Sequence, residues 1–187
     1  GGATDQRGGA ATMAKPGEVL DAPSLGVQIE FRRTTAETGG EMLEFDLIGR
    51  PQGFITQPHV HPRQTERHEV IEGGMRIRRG GVETTLAPGD TYETPAGQRH
   101  SHGAAGDGPG RVRVQIRPAG RTEAWLERLV AMDRDGQFLR NGWPRPVAGA
   151  HLILDFDGEA HATSSPPRVQ RALAGAILRV HARFDRG

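Results

Sequence analysis

The chain has no cysteine among its 187 residues. A disulfide framework, a thiolate metal site and a cysteine nucleophile are therefore excluded. Any metal must be held by histidine, aspartate or glutamate.

Long apolar runs are also missing. No stretch approaches the 18 or so apolar residues that a membrane-spanning helix needs. The start of the chain has no apolar signal-peptide core, so we expect a cytoplasmic location. Met13 is a candidate natural start, which would make residues 1–12 an upstream extension or an artefact of cloning.

Charge of one sign does not dominate either. Twenty-four basic residues stand against 23 acidic ones, which gives a net charge of +1. This balance favours neither nucleic acid nor membrane, and no convincing helix-turn-helix pair is present. We therefore expect no nucleic-acid partner.

Three regions follow from the residue pattern. Residues 1–25 are rich in glycine, alanine and proline and lack periodicity, so we predict a mostly flexible segment in which the part near "EVLDAPSLG" is the candidate for order. Residues 26–118 contain short alternating stretches ended by glycine or proline, as in "VQIEFRR" and "RVRVQIRP", which is typical of an antiparallel sandwich or barrel. Residues 119–187 favour helices, although "AGAHLILDFDGEA" fits helix and strand equally well.

Candidate metal ligands cluster in "QPHVHPRQTE". His59 and His61 are two residues apart and share one face if they lie on a strand. Pro58 and Pro62 bracket the pair, so this segment should lie at a sheet edge or at the start of a strand. Glu66 follows after a short turn, and two histidines with a carboxylate suit iron, manganese, zinc, nickel or copper.

A second stretch, "GDTYETPAGQRHSHG", supplies another candidate ligand, His100, just after a Pro-Ala-Gly turn. The two stretches together resemble the two motifs of the cupin family. Nine fixed positions agree with those motifs, namely Gly53, His59, His61, Glu66 and Gly73 in the first and Gly89, Pro95, Gly97 and His100 in the second. One position departs from the family, since Ala104 stands where the second motif usually ends in asparagine.

The resemblance covers roughly residues 26–118 and implies an all-β fold, a cupin-type antiparallel jelly-roll barrel, here with a C-terminal α-helical extension. It also implies one divalent transition metal inside the barrel, either iron, manganese, zinc, nickel or copper. The implied ligands are His59, His61, Glu66 and His100. Cupins similar to this chain are usually dimers, so we expect a homodimer.

Two further histidines lie close to these ligands in sequence. His102 shares a strand face with His100 and is a candidate catalytic acid or base, although a solvent-facing position is common for such a residue. Glu66 is a candidate proton carrier if it leaves the metal during turnover. His68, two residues after Glu66, is a candidate to assist or replace it.

Three functions remain open at this point. Four protein ligands leave one or two metal positions free, which is typical of a working site. We expect a metal-dependent dioxygenase-type oxidoreductase acting on an enol, keto or aromatic small molecule. The alternatives are a non-catalytic ligand-binding or regulatory cupin and a metal-assisted isomerase, cyclase or lyase.

The last helix carries a basic and an apolar face. Its apolar face holds five large side chains, namely Val169, Leu173, Ile177, Val180 and Phe184. We expect this face to pack on the barrel or on a second subunit. Contact of the helix with an anionic membrane surface is the alternative.

Overall fold

The computed structural model describes residues 14–184. The strands, in chain order, are β1 (Val19–Ala22), β2 (Val27–Arg33), β3 (Leu43–Gly49), β4 (His59–Val60), β5 (Thr65–Glu72), β6 (Met75–Arg79), β7 (Val82–Leu86), β8 (Thr91–Thr94), β9 (His100–Ala104), β10 (Gly110–Arg117) and β11 (His161–Ala162). The helices are α1 (Thr122–Arg134), α2 (Pro146–Asp155) and α3 (Pro167–Phe184). None of these helices is long and apolar enough to cross a membrane, within the residues described.

Two antiparallel sheets make up the β structure. The larger has the order β1-β2-β3-β10-β5-β8, and the smaller has the order β11-β4-β9-β6-β7. No strand pairing joins one sheet to the other in residues 14–184, so the expected barrel is not closed by backbone hydrogen bonds. The antiparallel β class and the C-terminal helices agree with the sequence-based prediction.

Alternation along the strands creates the inner face of the larger sheet. In β2, Val27, Ile29 and Phe31 are buried and the residues between them are more exposed. Phe31 lies opposite Phe45 of β3, and Phe45 lies opposite Val114 of β10. Directly opposed residues share a face, so these side chains form one apolar layer.

Helix α1 completes the core at one end of this layer. Its buried residues Leu126, Leu129 and Met132 pack in the same cluster as Phe31 and Leu43. The predicted boundary after residue 118 therefore does not divide the packing, because the first helix of the extension belongs to the core of the sheets.

The segment preceding residue 26 also contributes to the sheet. Strand β1 pairs with β2, and Ala22 is fully buried. Strand β1 lies within "EVLDAPSLG", the part of the predicted flexible segment that was the candidate for order. The part of that segment up to residue 13 lies outside the described residues.

Helix α3 lies at the surface and packs mainly against α2. Ala174 is its buried residue, whereas Leu173, Val180 and Phe184 are exposed. The sheets do not cover this apolar face within residues 14–184, so of the two surfaces expected to pack on it the second subunit stays a prediction.

Candidate metal centre

The four predicted metal ligands come together between the two sheets. His59 of β4 lies directly opposite His100 of β9 in the smaller sheet, and Glu66 projects from β5 of the larger sheet. His61 follows the end of β4. One side-chain ligand atom from each of the four lies within 4.8 Å of the others.

Backbone oxygens orient two of the imidazole rings. The Nδ1 of His59 lies 2.9 Å from the carbonyl oxygen of Gln57, and the Nδ1 of His100 lies 3.0 Å from that of Gln98. A carbonyl only accepts, so each Nδ1 carries the proton in these contacts. Both Nε2 atoms are then the positions from which the rings can bind a metal.

His61 is oriented from outside its own strand. Its Nδ1 lies 3.2 Å from the Oε1 of Gln64 and 3.2 Å from the carbonyl oxygen of Glu159. The second contact spans 98 residues and comes from the C-terminal extension. Histidine ligands in metal sites commonly donate their other ring N–H to such an oxygen.

Gln64 links this histidine to the helical extension. It is buried, and its amide nitrogen donates within hydrogen-bonding distance to four oxygens, those of the Pro118 and Ala119 carbonyls, the Thr122 hydroxyl and the Glu159 carboxylate. An amide nitrogen has two protons, so these oxygens share them. Gln64 therefore ties the position of His61 to the start of α1 and to the segment after α2.

The extension also completes the sheet at the ligand strand. Strand β11 pairs with β4, and Ala162 lies opposite His59. The nitrogen of Thr163 donates to the carbonyl of Pro58 at 3.1 Å. β4 begins directly after Pro58, as expected, but it is not an edge strand, because β11 covers it.

We expect Gln64→Leu to lower metal affinity by about 10- to 100-fold, the usual cost of losing a group that orients a ligand. Leucine cannot accept the hydrogen bond from His61. Competition with a chromophoric chelator measures the change. Gln28→Leu is the matched control, since Gln28 is an exposed glutamine that bonds to Asp21 away from the site. Equal affinities in both variants would contradict the role of Gln64.

Glu66 is the anionic member of the cluster. It is 5% exposed, and its Oε2 lies 2.6 Å from the Nε2 of His100. Burial acts to raise the pKa of Glu66, but the neighbouring histidines, His68 and His100 foremost, hold that pKa well below its ordinary value. The carboxylate is therefore ionised at neutral pH and available as a ligand.

The histidines differ in their protonation. Burial lowers the pKa of His59 to about 4, so its ring is neutral at pH 7. Burial is the largest single influence on the pKa of His100 and acts to lower it, but the hydrogen bond to Glu66, the negative charge of Glu66 and the contact with the Gln98 carbonyl together raise that pKa above the ordinary value. The proton shared by His100 and Glu66 must leave when a metal takes its place.

Three imidazoles and one carboxylate fit a divalent transition metal. Nitrogen and oxygen donors of this kind suit zinc, copper, iron, nickel and manganese. The oriented rings and the ionised carboxylate supply these donors in the correct protonation state, apart from the proton on His100. The residues present therefore fit the metal that the motif implies.

His102 and His68 adjoin this cluster without being part of it. The ring centroid of His102 lies 5.7 Å from that of His59 and 5.1 Å from that of His68. Burial lowers the pKa of His68 and holds that of His102 well below its ordinary value. Both rings are therefore neutral at pH 7, and His102 is able to accept a proton.

A cleft of about 470 Å³ opens at His102. This volume suits a small organic ligand. Four arginines line the cleft, namely Arg50, Arg76, Arg78 and Arg99. Arg76, Arg78 and Arg99 are exposed, and the structure gathers them along this cleft.

Comparison with known proteins finds similarity for part of the chain. Residues 48–116 match the family model described as Cupin domain. Similar solved structures include KdgF from Halomonas sp., at 20% identity over 54% of this chain and 86% of that one with a TM-score of 0.45. A predicted oxalate decarboxylase from Thermotoga maritima is 15% identical over 54% of this chain and 99% of the other, with a TM-score of 0.44. A search of curated proteins found no match.

Proposed function

We propose, on the premise that this chain belongs to the cupin family, that it is a metal-dependent enzyme for small molecules. The observation that carries the proposal is the convergence of His59, His61, Glu66 and His100. In each of the three histidines, a backbone carbonyl oxygen contacts Nδ1, the ring nitrogen opposite the one that would bind the metal. Such a site binds one divalent transition metal through four protein ligands and keeps other positions open.

The reaction we propose first is oxygenation of an enol, keto or aromatic compound, that is, a dioxygenase-type oxidoreductase. When bound, a divalent metal supplies a Lewis acid, and iron, manganese or copper also supplies redox chemistry with molecular oxygen. The chain contributes the ligands, the apolar surroundings and a neutral base. Ile77 lies opposite His102 on the neighbouring strand and belongs to a small buried apolar cluster with Val70 and Met75.

The arginine-lined cleft supports an anionic substrate. Arg76 and Arg78 alternate with buried residues on β6, so both extend from the same face of the strand. Arg78 is partly neutralised by Glu83 at 3.5 Å, whereas Arg99 donates to the hydroxyl of Thr163. A carboxylate on the substrate is the natural partner for the remaining positive charge.

Oxygen uptake tests this proposal. Metal-loaded protein is incubated with a panel of enol and keto acids, and dissolved oxygen and product mass are followed. We expect one compound to gain two oxygen atoms, and His61→Ala to abolish the gain. Binding of a compound without turnover by the metal-loaded protein would instead support a ligand-binding or regulatory cupin.

His102 favours a second reaction class, metal-assisted isomerase, cyclase or lyase chemistry. Its imidazole lines a substrate-sized cleft, where such a ring is in reach of a bound compound for proton transfer. In this case the same panel, incubated in D₂O, shows deuterium incorporation without oxygen uptake.

We expect His102→Gln to lower the rate of either reaction by at least about 100-fold, the lower bound for a lost acid or base. The metal at the four-ligand site should remain, because His102 is not among its ligands. Steady-state rates and metal content are measured together. His151→Gln is the control, since His151 lies exposed on α2. A rate within threefold of the wild type would remove His102 from the reaction.

The homodimer stays a prediction. The exposed apolar face of α3 is available for a second subunit or for an anionic membrane surface. A small-molecule substrate is the partner that this function requires.

A further inference from the structure

A buried histidine next to the proposed metal centre has no hydrogen-bond partner. His68 is fully buried, and neither its Nδ1 nor its Nε2 is hydrogen-bonded within residues 14–184. Nearly all buried polar side chains in proteins have a partner, and an exception calls for a specific explanation such as an ion. Hydrogen bonding within the fold therefore does not account for His68.

The two oxygens of Glu66 face different groups. Its Oε2 lies 2.6 Å from the Nε2 of His100, within the four-ligand cluster, whereas its Oε1 lies 3.6 Å from the Nε2 of His68. A distance of 3.6 Å is too long for a hydrogen bond. It is close to the separation of about 3.4 Å between two ligand atoms that each bind one tetrahedral ion at about 2.1 Å.

His102 supplies a third donor on this side. Ligand atoms of Glu66, His68 and His102 all lie within 4.8 Å of one another. His102 reaches this position because it lies two residues after His100 on β9, as His68 lies two residues after Glu66 on β5. His68 and His102 therefore lie beside the four-ligand cluster, displaced from Glu66 and His100 by two residues along the same strand faces.

A small cavity lies against the two histidines of this group. Its volume is about 20 Å³, and apart from His68 and His102 it is lined mainly by apolar residues such as Leu47, Met75 and Val112, whereas Glu66 does not line it. A cavity of this volume holds a single water or ion. It is too small for an organic ligand.

We propose that Glu66, His68 and His102 form a second divalent cation site, and that Glu66 bridges it to the first. An ion at this site occupies a ring nitrogen of His102, so the acid–base role of His102 applies to the protein with only the first site filled. The inference rests on the proposed function, because the first ion shares Glu66. Two imidazole nitrogens and a carboxylate oxygen suit zinc, copper, iron or manganese. Centres with two ions about 3.5–4 Å apart are common in metalloenzymes.

Charge sets a condition on this second site. Two divalent ions face one carboxylate, since the histidines of both groups bind as neutral ligands. Such an excess of buried positive charge is unfavourable unless an anion joins the centre. Binding of the second ion should therefore strengthen when a small carboxylate such as oxalate is added at concentrations too low to sequester the metal.

Metal stoichiometry tests the proposal. Metal-free protein is dialysed against manganese or zinc, and the metal per chain is measured by elemental analysis. We expect about two ions in the wild type and about one in His68→Leu. Leucine cannot bind a metal, and at a buried position without hydrogen bonds it should not impair folding. Surface sites are the same in both proteins, so the difference reports this site alone.

A spectroscopic readout checks that the two ions are neighbours. With manganese, a bridged pair should give a broadened, exchange-coupled electron paramagnetic resonance signal. His68→Leu and His102→Leu should each return the six-line signal of an isolated ion. One ion in both the wild type and His68→Leu would overturn the second site and leave the first intact. No ion in any of these proteins would overturn the proposed function as well.

Discussion

Glu66→Gln is expected to lower metal affinity by at least about 100-fold and to abolish activity. Loss of a group that only orients a ligand already costs 10- to 100-fold, so loss of the single anionic ligand should cost more. Glutamine keeps the shape of the side chain but removes the charge that attracts a divalent ion. It also leaves the Nε2 of His100 without its ionised partner.

The matched control is Glu69→Gln on the same strand. Glu69 is half-buried and pairs with Arg67 at 3.3 Å. It lies three residues after Glu66 on β5, so its side chain extends from the opposite face of the strand. Affinity is measured by competition with a chromophoric chelator. Wild-type affinity in Glu66→Gln would show that the metal is held elsewhere.

Phe31→Ala is expected to lower the free energy of unfolding by about 3–5 kcal/mol, the usual cost of removing a buried phenylalanine. Phe31 is fully buried, lies opposite Phe45 and packs in the cluster that α1 shares with the sheet. The substitution leaves a cavity between the sheet and the helix. Urea denaturation of the metal-free protein measures the change.

Val82→Ala provides the reference for this experiment. Val82 is 67% exposed on β7, so its loss should change stability by less than about 0.5 kcal/mol. A loss below 1 kcal/mol for Phe31→Ala would mean that the core is not packed as described. It would also weaken the argument that α1 belongs to that core.

The antiparallel strands and the grouping of the four predicted ligands follow from the sequence pattern. "VQIEFRR" alternates with period two, and the structure buries the predicted face of β2. His59 lies on the two-residue strand β4 and Glu66 lies near the start of β5, and the spacing of the two motifs predicted that they share one site. The spacing of residues within the two motifs therefore predicted the grouping of the ligands, which the predicted strands alone do not.

The parts that escaped prediction depend on distant contacts. Strand β11 has only two residues, too few for a periodic signal, and it is defined by pairing with β4 about 100 residues earlier. Gln64 is a polar residue with no motif, and its role arises from Glu159 in the extension. Strand β1 has four residues between glycine- and proline-rich stretches, which masks its pairing.

In the helical extension, some features were predicted from the sequence and others were not. A helix from Thr122 was predicted and is observed as α1. "AGAHLILDFDGEA" fits two structures by pattern, and the chain folds most of it into α2, which begins at Pro146. The apolar face of α3 was predicted from its helical periodicity. Periodicity shows which residues share a face but does not identify the surface that this face contacts.

Anomalous X-ray diffraction tests the central claim most directly. Crystals of the protein soaked with manganese or zinc are measured at an energy where that ion scatters anomalously. We predict a peak about 2.0–2.2 Å from the Nε2 atoms of His59, His61 and His100 and from a carboxylate oxygen of Glu66. A map in which the soaked ion binds elsewhere and no peak lies among these four residues would contradict the account.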